Sequence, residues 1–179
     1  TCYEGGMRVP FIASWAKAGK TNPFKIARNH LHHEQIGTVM DIYSTIMDAS
    51  NSSSPAKHPV DGVSLLPQLS GKSNQERPDH FMCHFPHSHR SSYFTSYRKG
   101  DWKLIYRYLT NSGKRKSKDP LPKYELYNLA RDPYEANNLA LSHGSKVNEM
   151  VHLMSKQLEA ENALLPVTDD GELKPQRIQ

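Results

Sequence analysis

The chain has 179 residues, a formal net charge of +5 and a mean hydropathy of −0.73. This length suits one ordinary domain, or one small domain joined to part of another. No apolar run approaches the roughly 20 residues that a membrane-spanning helix needs, so we expect no membrane span. Only two cysteines are present, Cys2 and Cys83, which is too few for a disulfide framework. We therefore expect two unpaired thiols.

Much of the positive charge lies in one basic run, Lys114-Arg115-Lys116-Ser117-Lys118. Such a run can contact a polyanion such as nucleic acid or a sulfated glycan. Nothing in the sequence resembles a nucleic-acid-binding motif, so we interpret the run as a solvated loop between strands and expect no nucleic-acid partner.

The first part of the chain, residues 1–70, predicts one strand and one helix. Residues 11–15 are almost continuously apolar, which is typical of a strand covered on both faces of a parallel sheet. Apolar residues recur at helical spacing over residues 34–49 and predict a helix there. One strand and one helix cannot bury themselves alone. We therefore interpret residues 1–70 as the edge of a larger α/β domain.

The second part, residues 71–179, predicts an antiparallel sheet followed by a helix. Apolar and polar residues alternate over 81–85, 93–97 and 102–108, a further strand is expected at 124–129, and Lys99-Gly100-Asp101 reads as a hairpin turn. A last helix, capped by Ser145, carries an apolar face. The fold class is thus α+β: about four antiparallel strands with a packed terminal helix, preceded by the strand and helix of residues 1–70.

Four segments of the chain stand in an order typical of one enzyme family. They are Tyr3-Glu4-Gly5-Gly6-Met7-Arg8-Val9-Pro10, residues 61–67 (DGVSLLP), residues 98–105 (RKGDWKLI) and residues 125–139 (ELYNLARDPYEANNL). They are similar to the YEGGxRxP, DGxSLLP, RxGDWKLI and ELYNLxxDPxExxNL segments of the type I, arylsulfatase-like sulfatases of the alkaline-phosphatase superfamily. Each is moderately specific alone, and four in the right order leave little room for chance.

The resemblance implies that catalysis depends on residues outside this sequence. Family members cleave sulfate esters with a formylglycine made from Cys or Ser in a C/S-x-P-x-R motif. They bind a divalent ion, usually calcium, in the same N-terminal part. No C/S-x-P-x-R segment occurs here, and the family's sulfate-binding Lys would fall before Thr1. We expect the chain to be the C-terminal third of a sulfatase, with no catalytic residue or metal ligand of its own and no activity alone.

The resemblance also implies the surroundings of the protein. We expect its partners to be the N-terminal catalytic domain of the same protein and a sulfated small molecule or glycan, and we expect an exported protein. Two alternatives stay open from the sequence: a related phosphonate or phosphate monoester hydrolase, and a non-enzymatic sulfatase-like binding module.

One segment concentrates groups that could bind an anion or a sugar. His84-Phe85-Pro86-His87-Ser88-His89-Arg90 brings three imidazoles and a guanidinium to the end of a predicted strand. Imidazole and guanidinium N–H groups suit sulfate oxygens and sugar hydroxyls. It is similar to an HxPHxH-like segment that reaches towards the substrate pocket in family members. By that resemblance His84, His87, His89 and Arg90 are candidate substrate contacts.

Other interpretations of the histidines and of the first motif remain open. His84 could be a hydrogen-bonded strand residue, His87 and His89 plain loop histidines, and the three imidazoles a zinc site that lacks an evident fourth ligand. A second group at residues 30–33 reads as an exposed approach to the first helix. Glu4 and Arg8 read as structural supports of their turn.

Overall fold

The computed structural model describes residues 2–16, 22–87, 93–110 and 120–178. Two compact units are present, one of Thr1–Val9 with His80–Gln179 and one of Pro10–Asp79. The elements are α1 (Glu4–Met7), α2 (Asp41–Ala49), α3 (Leu66–Leu69), β1 (His80–Phe85), β2 (Phe94–Lys99), β3 (Trp102–Arg107), β4 (Tyr124–Asn128), α4 (Gly144–Ala160), β5 (Val167–Thr168) and β6 (Gly171–Glu172). No helix among the described residues is long and apolar enough to cross a membrane.

The first unit is built on a four-stranded antiparallel meander in the order β1-β2-β3-β4. Lys99 pairs with Trp102 across a two-residue hairpin loop, in which Gly100 has φ +55°. Glycine adopts positive φ without steric cost, so it suits the first position of such a loop. The predicted four strands, the hairpin at residues 99–101 and the α+β class are confirmed.

The helix α4 covers one face of this sheet. Its stripe of apolar side chains packs on Leu104, Tyr106 and Leu126, and consists of Val147, Met150, Val151, Met154 and Leu158. All five are at most 4% exposed, so the apolar face predicted for the last helix is confirmed. Burial of this stripe is the main packing contribution of α4, since each such side chain contributes about 1.5–3 kcal/mol when removed from water.

Charged residues occupy the other face of the sheet. Side chains alternate along a strand, so Lys103, Ile105 and Arg107 point away from α4. Lys103 and Arg107 are only 1% and 2% exposed. Something must therefore cover this face, and residues 2–4 do so, as described below.

A buried ion pair lies in the second unit. Arg77 Nη1 lies 2.8 Å from Asp41 Oδ2, while the same guanidinium donates to the carbonyl oxygens of Ile36 and Val63. Burial alone would raise the pKa of Asp41, but the N–H groups of Val63 and Thr38 and the charge of Arg77 outweigh it and lower that pKa. This pair ties the segment of residues 61–66 to the start of α2.

Gly62 in the same segment has no room for a side chain. A Cβ placed there would lie 2.2 Å from the carbonyl oxygen of Met40. Any other residue would push this loop off α2, because the obstacle is backbone. The glycine of the DGxSLLP-like segment thus has a packing reason.

Three local predictions from the sequence are wrong. Residues 11–15 form no strand, and Phe11 and Ile12 are 58% and 88% exposed. A strand needs a neighbouring strand to bond its N–H and C=O groups, and no described strand pairs with residues 11–15. The helix expected over 34–49 begins only at Asp41, where the carboxylate accepts the Thr38 N–H. Ser145 does not cap α4, which begins at Gly144 after His143.

Candidate functional site

The loop after β1 was the site expected from the sequence, and the structure describes its first part. His84 lies on β1 with its side chain towards α4. Its Nδ1 is 2.7 Å from Thr95 Oγ1 and its Nε2 is 2.8 Å from the carbonyl oxygen of Leu164. Both ring nitrogens are therefore engaged within the protein, as in the hydrogen-bonded strand histidine that the sequence left open.

His87 is placed differently from His84. It is exposed, and its ring meets Phe85 edge to face at a centroid distance of 5.6 Å. Phe85 in turn stacks on Phe94 at a centroid distance of 5.5 Å, so the His87 ring packs against a pair of stacked phenylalanines. His89 and Arg90 lie outside the described residues, as does the basic run at residues 114–118.

A second arrangement, on the sheet face opposite α4, joins distant parts of the chain. Lys103 Nζ lies 2.9 Å from Glu4 Oε1 and 2.8 Å from Glu135 Oε1. The other carboxylate oxygen of Glu135 accepts the backbone N–H of Glu4 at 2.6 Å. Arg98 Nη1 approaches Glu4 Oε2 at 3.5 Å. We call Glu4, Arg98, Lys103 and Glu135 the lysine cluster.

An adjacent group of side chains surrounds Arg107. Arg107 pairs with Glu125 and lies 3.7 Å from Cys2 Sγ. Tyr3 and Tyr127 both donate their hydroxyl protons to Glu125, at 2.8 and 2.6 Å. We call these five residues the arginine cluster.

The phenols of the arginine cluster have raised pKa values. Burial raises the pKa of Tyr3 to about 12, and the hydrogen bond to the Glu125 carboxylate adds to the effect. Burial and the same carboxylate raise the pKa of Tyr127. For Arg107, burial alone would lower the pKa, but the Glu125 charge outweighs it and raises it. Both tyrosines thus stay neutral hydrogen-bond donors beside the Glu125–Arg107 pair.

The sequence predicted one part of these clusters and missed the rest. The interpretation of Glu4 as a structural support agrees with its burial and its contact with Lys103, whereas Arg8 is exposed. Lys103, Glu125 and Glu135 were not singled out. A signal was available: charged residues alternate with apolar ones on two neighbouring strands, and their charges are complementary.

The other titratable groups form no metal site within residues 2–16, 22–87, 93–110 and 120–178. No three His, Cys, Asp or Glu side chains there are placed to hold an ion. His30, His32 and His33 line a cavity of about 80 Å³ in the second unit, ahead of α2. Cys2 and Cys83 are unpaired thiols, as expected, and burial raises the pKa of Cys83.

The meander with its covering helix and the four motifs define the class of the chain as the C-terminal part of a sulfatase. The family model described as "N-sulphoglucosamine sulphohydrolase, C-terminal" matches residues 1–163. The chain belongs to this family.

Curated relatives agree with this membership. Human N-acetylgalactosamine-6-sulfatase is 25% identical over 182 aligned residues, which cover 93% of this chain and 33% of that protein. A sulfatase of Formosa agariphila is 29% identical over 156 residues, covering 82% of this chain and 25% of the relative. The chain thus spans about a third or less of the length of these relatives.

Solved structures share the fold. A protein in complex with its substrate D-glucosamine-2-N,6-O-disulfate superimposes with a TM-score of 0.50 at 23% identity, covering 69% of this chain and 24% of that one. A 2-O glycosaminoglycan sulfatase gives a TM-score of 0.51 at 19% identity, covering 69% of this chain and 25% of that one.

Proposed function

We propose that the whole protein hydrolyses sulfate esters and that this chain helps to shape its substrate pocket without supplying the nucleophile. The family match over residues 1–163 carries the proposal. The curated relatives named above are sulfatases as well. These likenesses favour a sulfuric ester over the phosphonate monoester alternative and over a non-enzymatic binding module.

The substrates named for the matched family and for the human relative support a proposed substrate class. The matched family acts on N-sulphoglucosamine by its name, and the human relative on an N-acetylgalactosamine 6-sulfate. We therefore propose a sulfated amino sugar, free or within a glycan. A net charge of +5 on this chain favours the approach of such an anion.

The loop that follows β1 is the proposed contact of this chain with the sugar. His87 is exposed and supported by Phe85, so its imidazole is free to donate towards a ligand. His89 and Arg90 join it in the proposal on the sequence resemblance alone. For His84, the fourth candidate, we propose a supporting role at the base of the loop, because its ring nitrogens lie against Thr95 and Leu164.

The remaining machinery is proposed to lie upstream in the whole protein. A formylglycine nucleophile and a calcium ion would belong there, since the donors described here are not gathered for a hard cation. An exported protein fits this family. Residues 1–70 would complete the α/β catalytic domain and residues 71–179 would form the C-terminal subdomain.

Exposed apolar side chains in the second unit support that placement. Val39, just before α2, and Ile46, on α2, are 80% and 59% exposed, and Phe11 and Ile12 are also largely exposed. Large apolar side chains left in water can be buried by a contact with another part of a protein. We propose that the upstream catalytic part of the same protein covers it.

A substrate comparison tests the proposed function. The full-length protein is assayed for sulfate release from N-acetylgalactosamine 6-sulfate and N-sulfoglucosamine, and for hydrolysis of an aryl phosphonate monoester. We expect turnover of at least one sulfated sugar that exceeds turnover of the phosphonate. Preferred hydrolysis of the phosphonate would contradict the proposal, and so would an absence of turnover on every ester.

A further inference from the structure

The lysine cluster joins three stretches of chain that are far apart in sequence. Glu4 comes from α1, Lys103 from β3 and Glu135 from the turn after β4. The Lys103 side chain is 1% exposed, and those of Glu135 and Glu4 are 3% and 11% exposed. Two carboxyl groups and one amine are thus held almost entirely away from water.

Such burial is a poor way to gain stability. Removing an ammonium or a carboxylate from water costs several kcal/mol each, and attraction between the partners often only offsets that cost. Apolar residues of similar volume would cover the same sheet face at least as well. The cluster therefore has to be explained by something other than net stability.

The backbone conformation at Glu135 also argues that the cluster does not serve net stability. Glu135 has φ +54° although it is not glycine, a conformation that costs of order 1–3 kcal/mol. The Asp132 carboxylate holds this turn by accepting the N–H groups of Ala136 and Asn137, at 3.1 and 2.8 Å. The strained turn aims the Glu135 carboxylate at both Lys103 Nζ and the Glu4 N–H.

What the cluster does determine is where the first turn of the chain lies. Glu4 is held at its side chain by Lys103 and at its backbone by Glu135, while the neighbouring Tyr3 hydroxyl is held by Glu125. Gly5 and Gly6, which follow at once, are exposed. Residues 3 and 4 thus have one fixed position on the sheet, and the two glycines after them face solvent.

We propose that Lys103 and Glu135 are positioning residues of the enzyme, which fix the Tyr3–Glu4 segment in one place on the C-terminal sheet. This rests on the proposed function, because the positioning matters for turnover only if the whole protein is a sulfatase. Both side chains are nearly fully buried against Glu4 and act through it. The net charge of Glu4, Arg98, Lys103 and Glu135 is balanced, so the cluster needs no further ion.

The test neutralises the three buried charges together in the full-length protein. The variant Glu4→Gln, Lys103→Met, Glu135→Gln keeps side-chain size and removes the like-charge repulsion that Lys103→Met alone would leave. The matched control, Glu149→Gln, Lys156→Met, Glu159→Gln, makes the same changes at exposed positions of α4. Tm, kcat/KM and amide hydrogen exchange of residues 2–7 are measured for each protein.

We expect the buried triple variant to keep its Tm within a few degrees, to lose at least tenfold in kcat/KM, and to exchange amides 2–7 faster. The control should match the wild type in all three. Unchanged exchange, or kcat/KM within twofold of the wild type, would overturn the proposal. So would a variant that fails to fold or loses protection throughout the first unit, since the role would then be merely structural.

The exchange measurement separates this proposal from the proposed function. If the wild-type protein releases no sulfate from any ester, the sulfatase assignment fails. Faster exchange confined to residues 2–7 would even then support the placement of Tyr3 and Glu4 by the cluster, and unchanged exchange would still refute it.

Discussion

At the residue scale, hydrogen-bond occupancy distinguishes two histidines that the sequence treats alike. His84 uses both ring nitrogens on Thr95 and Leu164, whereas His87 is exposed on an aromatic base. The spacing of the histidines could not show this, because His84 lies on β1 while His87 follows the end of that strand, and because one partner of His84 is a carbonyl 80 residues away.

Replacing His87 should affect catalysis without affecting the fold. We expect His87→Ala in the full-length protein to lower kcat/KM on the sulfated sugar about tenfold, the loss of one hydrogen bond to a charged group. Tm should not change, since the side chain is exposed. His152→Ala, an exposed position of α4, is the matched control. Unchanged kinetics would remove His87 from the site.

Buried phenols should make the first unit sensitive to alkali. The pKa values of Tyr3, Tyr106 and Tyr108 are raised from 10.0 to about 12, mainly by burial. Between these pH values the unfolded chain loses phenolic protons that the folded chain retains, so stability should fall as pH rises from 10 towards 12. Tyr106→Phe should make this fall shallower in thermal unfolding, while Tyr134→Phe, at a 90% exposed position, should leave it unchanged.

At the scale of elements, sequence periodicity predicts the strands and the helix that pack against each other within the first unit. It fails for segments whose structure depends on contacts with distant parts of the chain. The strands and the buried face of α4 follow from alternation and helical spacing, because both faces of those elements are completed within the first unit. The strand expected at residues 11–15 has no described strand beside it. The lysine cluster was missed because its partners, Glu4 and Glu135, are 131 residues apart.

The apolar stripe of α4 allows a direct measurement of packing. Leu158 is 4% exposed and Leu141 is 99% exposed. We expect Leu158→Ala to lower the free energy of unfolding by about 2–5 kcal/mol. Leu141→Ala should change it by less than about 0.5 kcal/mol. Equal effects in chemical denaturation would contradict the assignment of α4 as the cover of the sheet.

The exposed apolar face of α2 should matter only in the longer protein. Ile46→Asp places a charge at a 59% exposed position and should leave unfolding of residues 1–179 unchanged. In the full-length protein the same change should lower Tm or the yield of folded protein, because the charge would be buried without a partner. Leu141→Asp is the control. An equal effect in both proteins would argue against cover by the upstream part.

At the scale of the whole molecule, the two units differ in how completely they bury their apolar side chains. The first unit covers both faces of its sheet, with α4 on one side and residues 2–4 on the other. The second unit leaves apolar residues exposed, and the curated relatives named above are three or more times as long as the segment that matches. This combination agrees with the proposal that the chain completes a longer protein.

Sulfate release by the full-length protein and by residues 1–179, measured side by side with calcium present, tests the central claim most directly. We predict release from a sulfated amino sugar by the full-length protein and none above the blank by residues 1–179. Turnover that purifies with residues 1–179 alone would contradict the account, because it would place the nucleophile in this chain.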